Sequence, residues 1–379
     1  MKLKAQYKPL LQLAVGIVCI FLLVHILKYL GFYYRIHWKA KSYLDPSYIP
    51  SPVSEEDKHT LTWLIHMYPP VHNAGAEWMA HAMNKYLLES ANCSVNVVLN
   101  KAKVNEFERV RIIDKKSRQQ VESVVKHGTV ILSHLDMEVQ ALHTAIQAKR
   151  PLVIVMHNNY RKPWLQEYVR IMPKNLYLIN NSKWLQEYYS LFNIPSIVVY
   201  PPVYWQEYQI ETTREYVTLI NLNKNKGGDV LINIAKAMPD VKFMGVNGGY
   251  DGQIEDRKIK NIEYTENTAY IKGIYAKTGI LLVPSKEESW GRVAIEAMSS
   301  GIPVIANPTP GLLESCGTAG IYCSRDDTAA WVREIRRLKE DKAYYAEKSA
   351  ACLARAKELD PNPQLEAMSK WLLSLKWRD

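Results

Sequence analysis

The sequence predicts two α/β domains with largely parallel sheets, and three observations favour that class. Between residues 61 and 323, short apolar runs alternate with longer amphipathic ones, which is the pattern of repeated strand–helix units. The short runs are apolar throughout, as expected for parallel strands that helices cover on both faces. A chain of 379 residues is also too long for one ordinary core. We therefore predict two Rossmann-like, doubly wound domains that face a cleft.

The candidate strands fall into two series. The first series comprises the runs at 61–67, 95–99, 129–133, 152–156, 176–180 and 196–200. The second series comprises the runs at 216–220, 241–246, 279–283, 302–306 and 320–323. Residues 200–216 between them are polar and contain prolines, which is typical of a linker. The predicted domains are therefore residues 59–205 and 206–360, followed by a C-terminal helix at 361–379.

The N-terminal end predicts a single-pass membrane anchor. Residues 1–9 are a basic tail, and the apolar run at 10–30 has about the length that crosses a bilayer. Residues 1–41 hold seven basic residues and no acid, and so account for seven of the ten net positive charges. Basic flanks around an apolar run indicate a membrane rather than a nucleic acid. Residues 31–58 would then be a stem.

A cleaved signal peptide is the alternative for this segment. Such a peptide is shorter and ends in small residues, whereas the run here is followed by "KYLGFYYRIHW". An uncleaved anchor is therefore the favoured interpretation. The positive charges on its two sides nearly balance, so the side of the membrane on which the body lies stays open.

Ligands of parallel sheets bind beyond the carboxyl ends of the strands, so the loops that follow strands are the candidate sites. His157 follows the run at 152–156 and is predicted to face the cleft, although a solvated loop histidine is equally compatible with the pattern. Gly75, in "NAGAE", opens a helix whose N-terminus favours an anion. A short strand–helix connection needs glycine in any case, so that motif alone indicates no function.

The second domain offers a lysine and two glutamates. Lys226 precedes two glycines and a helix, where its charge can neutralise a diphosphate or simply be solvated. In "SKEESWGRVAIEAM", Glu288 lies in a loop and Glu296 lies about a turn and a half into the next helix. Carboxylates accept hydrogen bonds from sugar and ribose hydroxyls. Two solvated glutamates are the alternative, but they leave the glycine turn between them unexplained.

The segment "PSKEESWGRVAIEAMSSGIPVIA" closely resembles the glutamate–seven–glutamate signature of the family 4 retaining glycosyltransferases, which have the GT-B fold. "YPPVHNAGAE", "VMHNN", "KNKGGDVLINIAKA" and "MGVNGG" resemble other landmarks of that family in the right order, over about residues 60 to 325. The resemblance implies that the first domain binds the acceptor and the second binds a nucleotide sugar. It also implies that the final helix crosses back to the first domain.

By position, the resemblance makes Glu288 the contact to the donor sugar and Glu296 the contact to the ribose. Lys226 would bind the diphosphate, Gly75 would line the phosphate side, and His157 would lie beside the sugar and the acceptor. His157, Glu288 and Lys226 are thus the candidate catalytic residues. The predicted donor site consists of Gly75, Asn221, Lys226, Glu288, Ser289, Trp290, Gly291, Arg292, Val293 and Glu296.

One position departs from the family pattern. Many members have a phosphate-binding arginine about five residues before the lysine, where this chain has Asn221. We expect Arg292 or Lys224 to compensate, or else the affinity or choice of donor is altered.

Neither a metal nor another cofactor is expected. No two aspartates of the chain are separated by one residue, so the metal motif of single-domain glycosyltransferases is absent. The five cysteines have no metal-binding or redox spacing. The predicted substrates are a nucleotide sugar, linked to UDP or GDP, and a lipid-linked, glycan or protein acceptor near a membrane, with no nucleic acid.

Two alternative functions stay open. The asparagine at 221 favours a non-catalytic subunit that binds nucleotide sugar or acts as a scaffold. The same fold also serves nucleotide-sugar epimerases and glycogen-type phosphorylases. Hydrolysis of the donor in the absence of acceptor would distinguish a transferase from the non-catalytic subunit.

Overall fold

A computed structural model describes residues 8–39, 41–54 and 59–379. Most of the predicted basic tail, at 1–9, and the end of the predicted stem therefore lie outside the described residues. The body contains one sheet of eight strands and one of six. All pairings are parallel except that between the two strands at one edge of the larger sheet.

The first sheet has the strand order β3-β4-β2-β1-β5-β6-β7-β8. Its strands are β1 (Thr60–Ile65), β2 (Ser94–Leu99), β3 (Glu106–Phe107), β4 (Val110–Asp114), β5 (Val130–His134), β6 (Leu152–Met156), β7 (Leu176–Asn180) and β8 (Ser196–Val198). The six runs of the first series all form strands of this sheet. The five inner ones are apolar runs buried on both faces, and β8, at the edge, is half-buried.

The second sheet has the order β11-β10-β9-β12-β13-β14. Its strands are β9 (Tyr216–Ile220), β10 (Phe243–Val246), β11 (Ile262–Thr265), β12 (Thr278–Val283), β13 (Val304–Ala306) and β14 (Ile321–Tyr322). All five runs of the second series form strands here. Because β9 pairs with both β10 and β12, the loops after β9 and β12 emerge side by side.

Helices connect the strands of each sheet. In the first half they are α1 (Lys8–Tyr34), α2 (Gly75–Glu89), α3 (Arg118–His127), α4 (Glu138–Ala148), α5 (Lys162–Ile171), α6 (Lys183–Tyr189) and α7 (Trp205–Tyr208). In the second half they are α8 (Gly228–Ala237), α9 (Ile271–Tyr275), α10 (Arg292–Met298), α11 (Pro310–Cys316), α12 (Thr328–Glu340), α13 (Lys342–Glu358) and α14 (Asn362–Ser374).

Three strands escaped the sequence prediction, and all three lie at or next to a sheet edge. In β4, Arg111 is exposed between buried neighbours, so the strand does not read as a continuous apolar run. The edge strand β3 has no buried residue, and β11 has only one, Ile262. An edge strand is buried on fewer sides than a central one, so its composition carries a weaker signal.

Each sheet is packed on both faces. Leu61 and Trp63 of β1 lie in one buried cluster, and Leu64 lies in another on the opposite face. The first of these clusters also contains Leu365 and Met368, which belong to α14. The last helix of the chain is thus part of the core of the first domain.

The predicted anchor lies within α1. Several of its side chains, including all of those from 8 to 16, are outside the described set. Within the described part of the chain, no helix has both the length and the apolar character that a membrane span requires.

Candidate active site

The loops after β9 and β12 bring Lys226 and Glu288 into contact. The Lys226 ammonium donates to Oε2 of Glu288, and Ser285 Oγ donates to the same oxygen at 3.3 Å. Burial lowers the pKa of Lys226, but Glu288 and Tyr250 together raise it by more, so the net pKa lies above that of an ordinary lysine. The pair therefore presents a fixed positive charge beside a carboxylate, 62 positions apart in sequence.

Asn225 holds these two loops together. Its carbonyl oxygen accepts from the Lys286 backbone N–H at 2.7 Å, and its side-chain oxygen accepts from the Glu287 N–H at 3.2 Å. One amide residue thus sets the spacing between Lys226 and Glu288.

Arg325 lies behind the same loops, 99 residues further along the chain than Lys226. Its guanidinium donates to the carbonyl oxygen of Lys224 at 2.8 Å and to Asp229 Oδ1 at 2.7 Å. It also donates to the carbonyl oxygen of Pro284. Sequence reasoning missed Arg325 because its role depends on a contact that only the folded sheet creates.

The two glycines after Lys226 are required by close packing. Gly227 has φ of 100°, and a Cβ there would lie 2.5 Å from Cγ of Pro284. A Cβ on Gly228 would lie 2.2 Å from the carbonyl oxygen of Leu222. A side chain at 227 would push the Lys226 loop away from the loop after β12, and one at 228 would displace the start of α8 from Leu222.

Glu296 is buried in α10 and already accepts two hydrogen bonds. Arg292 Nε donates to its Oε1 at 2.6 Å, and the Tyr275 hydroxyl donates to its Oε2 at 2.8 Å. Each carboxylate oxygen has two lone pairs, so both oxygens keep capacity for another donor. The structure thus gives Glu296 a fixed orientation before any ligand arrives.

Arg292 is held in turn from two sides. Its Nη2 donates to the Tyr208 hydroxyl at 2.6 Å, in addition to its bond to Glu296. Burial lowers the pKa of Arg292, while Tyr208 and Glu296 raise it by more, and the net pKa is raised. Its Nη1 is buried and has no hydrogen-bond partner among the described residues. That free donor is the group through which Arg292 can contact an anion.

Asn221, the position without the usual arginine, lies at the end of β9 with φ of 70°. Its Oδ1 accepts from the Asn223 N–H at 3.2 Å. A Cβ on Gly248 would lie 2.3 Å from Cγ of Asn221, so the asparagine fills the space above that glycine. The side chain is part of the turn and brings no charge to the site.

Ser289 and Trp290 lie where the two domains meet. Ser289 Oγ accepts from Asn181 Nδ2, and its carbonyl oxygen accepts from Trp184 Nε1, both at 2.8 Å. Trp290 is 2 % exposed and stacks on Tyr200 with ring centroids 3.8 Å apart. These two predicted donor residues thus make contacts that join the loop after β12 to the first domain.

Gly291 and Val293 flank the start of α10. Gly291 has φ of 91°, so the chain enters the helix through a left-handed turn. The carbonyl oxygen of Val293 accepts from the Tyr275 hydroxyl at 3.3 Å. Gly75, on the opposite side, opens α2, and a Cβ there would meet nothing within 4 Å.

A second contact joins the domains through Glu314 of α11. Its carboxylate accepts from the backbone N–H groups of Lys183 and Trp184, at 2.7 and 3.0 Å. Those N–H groups begin α6, where a helix leaves donors without an internal partner. The negative charge also lies at the favourable end of that short helix.

The carboxyl edge of the first sheet carries three histidines on adjacent strands. His66 follows β1, His134 ends β5 and His157 follows β6. Nδ1 of His134 and Nε2 of His157 are 3.0 Å apart. Burial lowers the pKa of His157 to about 4 and that of His134 well below its usual value. Both rings are therefore neutral near pH 7.

Several buried polar atoms at this edge lack a hydrogen-bond partner within the described part of the chain. They are His66 Nδ1, His134 Nε2, Asn158 Oδ1, and both Oδ1 and Nδ2 of Asn180. Buried polar groups are nearly always hydrogen-bonded in folded proteins. The edge is thus suited to a polar ligand. The sequence prediction had found only His157 here.

Comparison with known proteins finds one matching family and several solved structures with a similar fold. Residues 214–341 match the family described as "Glycosyl transferases group 1". That stretch contains Lys226, Glu288 and Glu296. It covers the second domain and leaves the first unmatched.

The curated relatives match over short segments. A D-inositol 3-phosphate glycosyltransferase of Corynebacterium kroppenstedtii is 37% identical over 73 residues, which is 19% of this chain and 16% of that protein. The O-antigen chain mannosyltransferase RfbU of Salmonella typhimurium is 33% identical over 70 residues, 18% of this chain and 20% of that protein. The matched segments therefore span well under two thirds of these relatives.

Solved structures match over both domains. Anabaena HepE, solved with UDP and glucose, superposes with a TM-score of 0.68 at 17% identity, covering 84% of this chain and 100% of that chain. WaaG, a glycosyltransferase involved in lipopolysaccharide biosynthesis, gives a TM-score of 0.61 at 14% identity, covering 83% of this chain and 100% of that chain. The fold is the GT-B arrangement predicted from the sequence, and the family match is confined to residues 214–341.

Proposed function

We propose that this chain moves a sugar from a nucleotide-sugar donor to an acceptor held at the edge of the first sheet. The observation that carries the proposal is the contact between Lys226 and Glu288, within the segment that matches the glycosyltransferase family. When the donor binds, its diphosphate can take the place of Glu288 beside Lys226. The sugar hydroxyls can take the place of Lys226 beside Glu288.

The proposed reaction breaks the bond between the anomeric carbon and the diphosphate oxygen. Negative charge then grows on the leaving diphosphate, and Lys226 stabilises it from a fixed position. The free Nη1 of Arg292 supplies a second donor in place of the arginine absent at 221. Glu288 orients the sugar, and Glu296 accepts from the ribose hydroxyls.

Retention of configuration is part of the proposal. The acceptor oxygen attacks the anomeric carbon from the face that the diphosphate leaves. The acceptor proton passes to a departing phosphate oxygen, so no protein base is required. His157, neutral because of burial, then acts as a hydrogen-bonding partner of sugar and acceptor in the transition state.

The proposed acceptor is a glycan or a lipid-linked sugar near a membrane. The name of the Salmonella relative, an O-antigen chain mannosyltransferase, supports a glycan. Apolar side chains of α1 such as Ile17, Phe21 and Leu27 are about 60% exposed, which supports membrane association. The Anabaena structure with UDP and glucose supports UDP-linked donors as the first to be tested.

A panel of UDP- and GDP-sugars tests the proposal on the full-length protein in detergent. One donor should raise the melting temperature and be hydrolysed slowly without acceptor. Lys226→Ala should abolish both effects, whereas Lys258→Ala, an exposed lysine of the same domain, should retain them. Stabilisation without hydrolysis or transfer would indicate the non-catalytic subunit, and conversion to an epimeric donor would indicate the epimerase.

A further inference from the structure

Three side chains of the first domain converge in a way that the proposed transfer does not use. One ligand atom each of His66, Glu77 and His134 lies within 4.8 Å of the other two. We propose that these residues bind a divalent transition-metal ion at the carboxyl edge of the first sheet. The inference is independent of the donor chemistry, which concerns the other domain.

Regular elements fix all three ligands. His66 directly follows β1 and His134 ends β5, and these strands are neighbours in register, with Leu64 opposite Ser133. Glu77 is the third residue of α2, the helix that follows β1. Sites built on strands and helices hold their geometry better than sites built on loops.

Glu77 and His134 are buried, and one ligand atom lacks a partner. Glu77 is 2 % exposed and His134 is fully buried, and His134 Nε2 has no hydrogen-bond partner within the described chain. The contacts of Glu77 to His66 and His72 are 3.8 and 3.5 Å long, and burying a carboxylate is costly unless it is closely paired. A cation bound between these atoms would satisfy the carboxylate and the free imidazole nitrogen together.

An ordinary ion pair between histidine and glutamate explains the cluster less well. Glu77 Oε1 is 3.8 Å from His66 Nε2, and its Oε2 is 3.5 Å from His72 Nδ1, distances at or beyond the limit of a hydrogen bond. His81 and Glu108 of the same domain form such a pair at 3.2 Å, and the second nitrogen of His81 lies 3.0 Å from the Tyr68 hydroxyl.

The ligand set indicates the class of ion. Two imidazole nitrogens and one carboxylate oxygen suit zinc and its neighbours in the first transition series, and they suit magnesium or calcium poorly. Zinc sites with two histidines and a glutamate keep a further position open for water or substrate oxygen.

His157 has the arrangement of an outer-sphere partner. If Nε2 of His134 binds the ion, its Nδ1 carries the proton and donates to Nε2 of His157, 3.0 Å away. A hydrogen bond of this kind fixes the tautomer and orientation of a metal-binding histidine. The ion would therefore set the tautomer of the residue proposed to meet the acceptor.

The test is a titration of full-length protein, stripped with a chelator and then dialysed, with Zn²⁺ alone. Calorimetry should give one saturable site per chain. His66→Gln, Glu77→Gln and His134→Gln should each weaken binding by about 100-fold or more, beyond the roughly 10–100-fold expected for His157→Gln as an outer-sphere partner. His81→Gln is the matched control and should bind zinc normally.

Folding and adventitious binding are checked separately. Each variant should melt in EDTA near the wild-type temperature, and zinc should raise the melting temperature only where the site is intact. Co²⁺ bound at this site should show visible bands without thiolate charge transfer, because none of the proposed ligands is cysteine. The proposal fails if wild type has no saturable site at micromolar zinc, if cobalt binds through thiolate, or if folded ligand variants bind as wild type does.

Discussion

The carboxyl edges of the two sheets differ in the charge and the pairing of the groups that would meet a ligand. The second edge holds charged groups that are already paired, Lys226 with Glu288 and Arg292 with Glu296. At the first edge, burial keeps His134 and His157 neutral near pH 7, and several buried polar atoms there have no partner within the described chain. Paired charges can be buried before the ligand arrives and then change partners. Unpaired neutral groups cost less to bury, and they suit an uncharged acceptor or a metal ion.

The largest expected effect tests the charged edge. Lys226→Ala should lower kcat/KM for the donor by about 10³, since one preorganised charge on the leaving group contributes a few kcal/mol. Both KM and kcat should change, because the contact exists in the ground state and strengthens as charge develops. Steady-state kinetics with the donor found in the panel measures it. A variant with wild-type kcat would mean that Lys226 does not stabilise the leaving group.

His157→Ala tests the neutral edge and should have the next largest effect. We expect kcat to fall by about 10², the scale of one lost polar contact in the transition state. Affinity for the nucleoside diphosphate should not change, because His157 belongs to the other domain. Calorimetry and single-turnover rates together separate the two quantities. Equal loss of nucleotide affinity in His157→Ala and Lys226→Ala would contradict the assignment of separate roles to the two edges.

Glu296→Ala should weaken nucleoside diphosphate binding by roughly 1–3 kcal/mol, about 10- to 100-fold, because the ribose loses its acceptor. Tyr275→Phe is the control, since it removes a hydrogen bond to the same carboxylate without removing the carboxylate. It should change affinity much less. Melting curves should accompany both variants, because Arg292 loses its partner in Glu296→Ala. Unchanged affinity in folded Glu296→Ala would exclude the ribose contact.

The pH dependence of stability should differ between the two edges. The folded pKa of His157 is about 4, against 6.5 for the free group, and those of His81 and His134 are also lowered by burial. Unfolded histidines therefore take up protons that the folded ones exclude. The stability present above pH 6.5 should fall as the pH drops towards 4, by about 1–3 kcal/mol between pH 7 and 5.

Glu138 has the opposite effect on the pH dependence of stability, and a variant at this position is the control for the histidines. Burial raises its pKa to about 7, so the folded state binds a proton there below pH 7 and gains stability as the pH falls. Denaturant unfolding of Glu138→Gln should therefore show a steeper loss on acidification than wild type. Hydrogen exchange should show the first sheet losing protection before the second. Equal losses of hydrogen-exchange protection in both sheets would contradict the expected difference in pH dependence between the two edges.

The smallest expected effect is that of a chelator, for which we expect no change in nucleotide binding. A chelator should leave nucleoside diphosphate affinity unchanged, because the proposed donor ligands are Lys226, Arg292 and two carboxylates. Calorimetry with and without EDTA measures this, and magnesium or manganese added back serves as the control. A metal-dependent affinity would mean that the charged edge needs an ion after all.

The fold was predictable from the sequence because central parallel strands are apolar on both faces. The edge strands β3 and β11 were missed because few of their residues are buried. Helix α10 begins at Arg292, so Glu296 lies just over one turn into it, close to the predicted turn and a half. Propensity and periodicity carry this information because they depend on neighbours in sequence.

The site was predictable only in part. Lys226 and Glu288 were recognised from their motifs, and their contact follows from strand order. His66 was counted within the predicted strand at 61–67, and His134, one residue beyond the predicted strand at 129–133, was not considered, although a polar residue at the end of a buried run is a usable signal. Arg325 left no signal, since its four acceptors come from distant loops.

The contact of Glu314 with the start of α6 bears on the exchange of domains between related chains. Its carboxylate binds main-chain N–H groups, which every residue except proline provides. A chimaera with a foreign first domain would therefore keep that contact with any non-proline residues at 183 and 184. The bonds to Ser289 instead require the side chains of Asn181 and Trp184. A transplanted domain therefore needs these two residues, and Tyr200 for the stack on Trp290, to keep the contacts to the loop after β12.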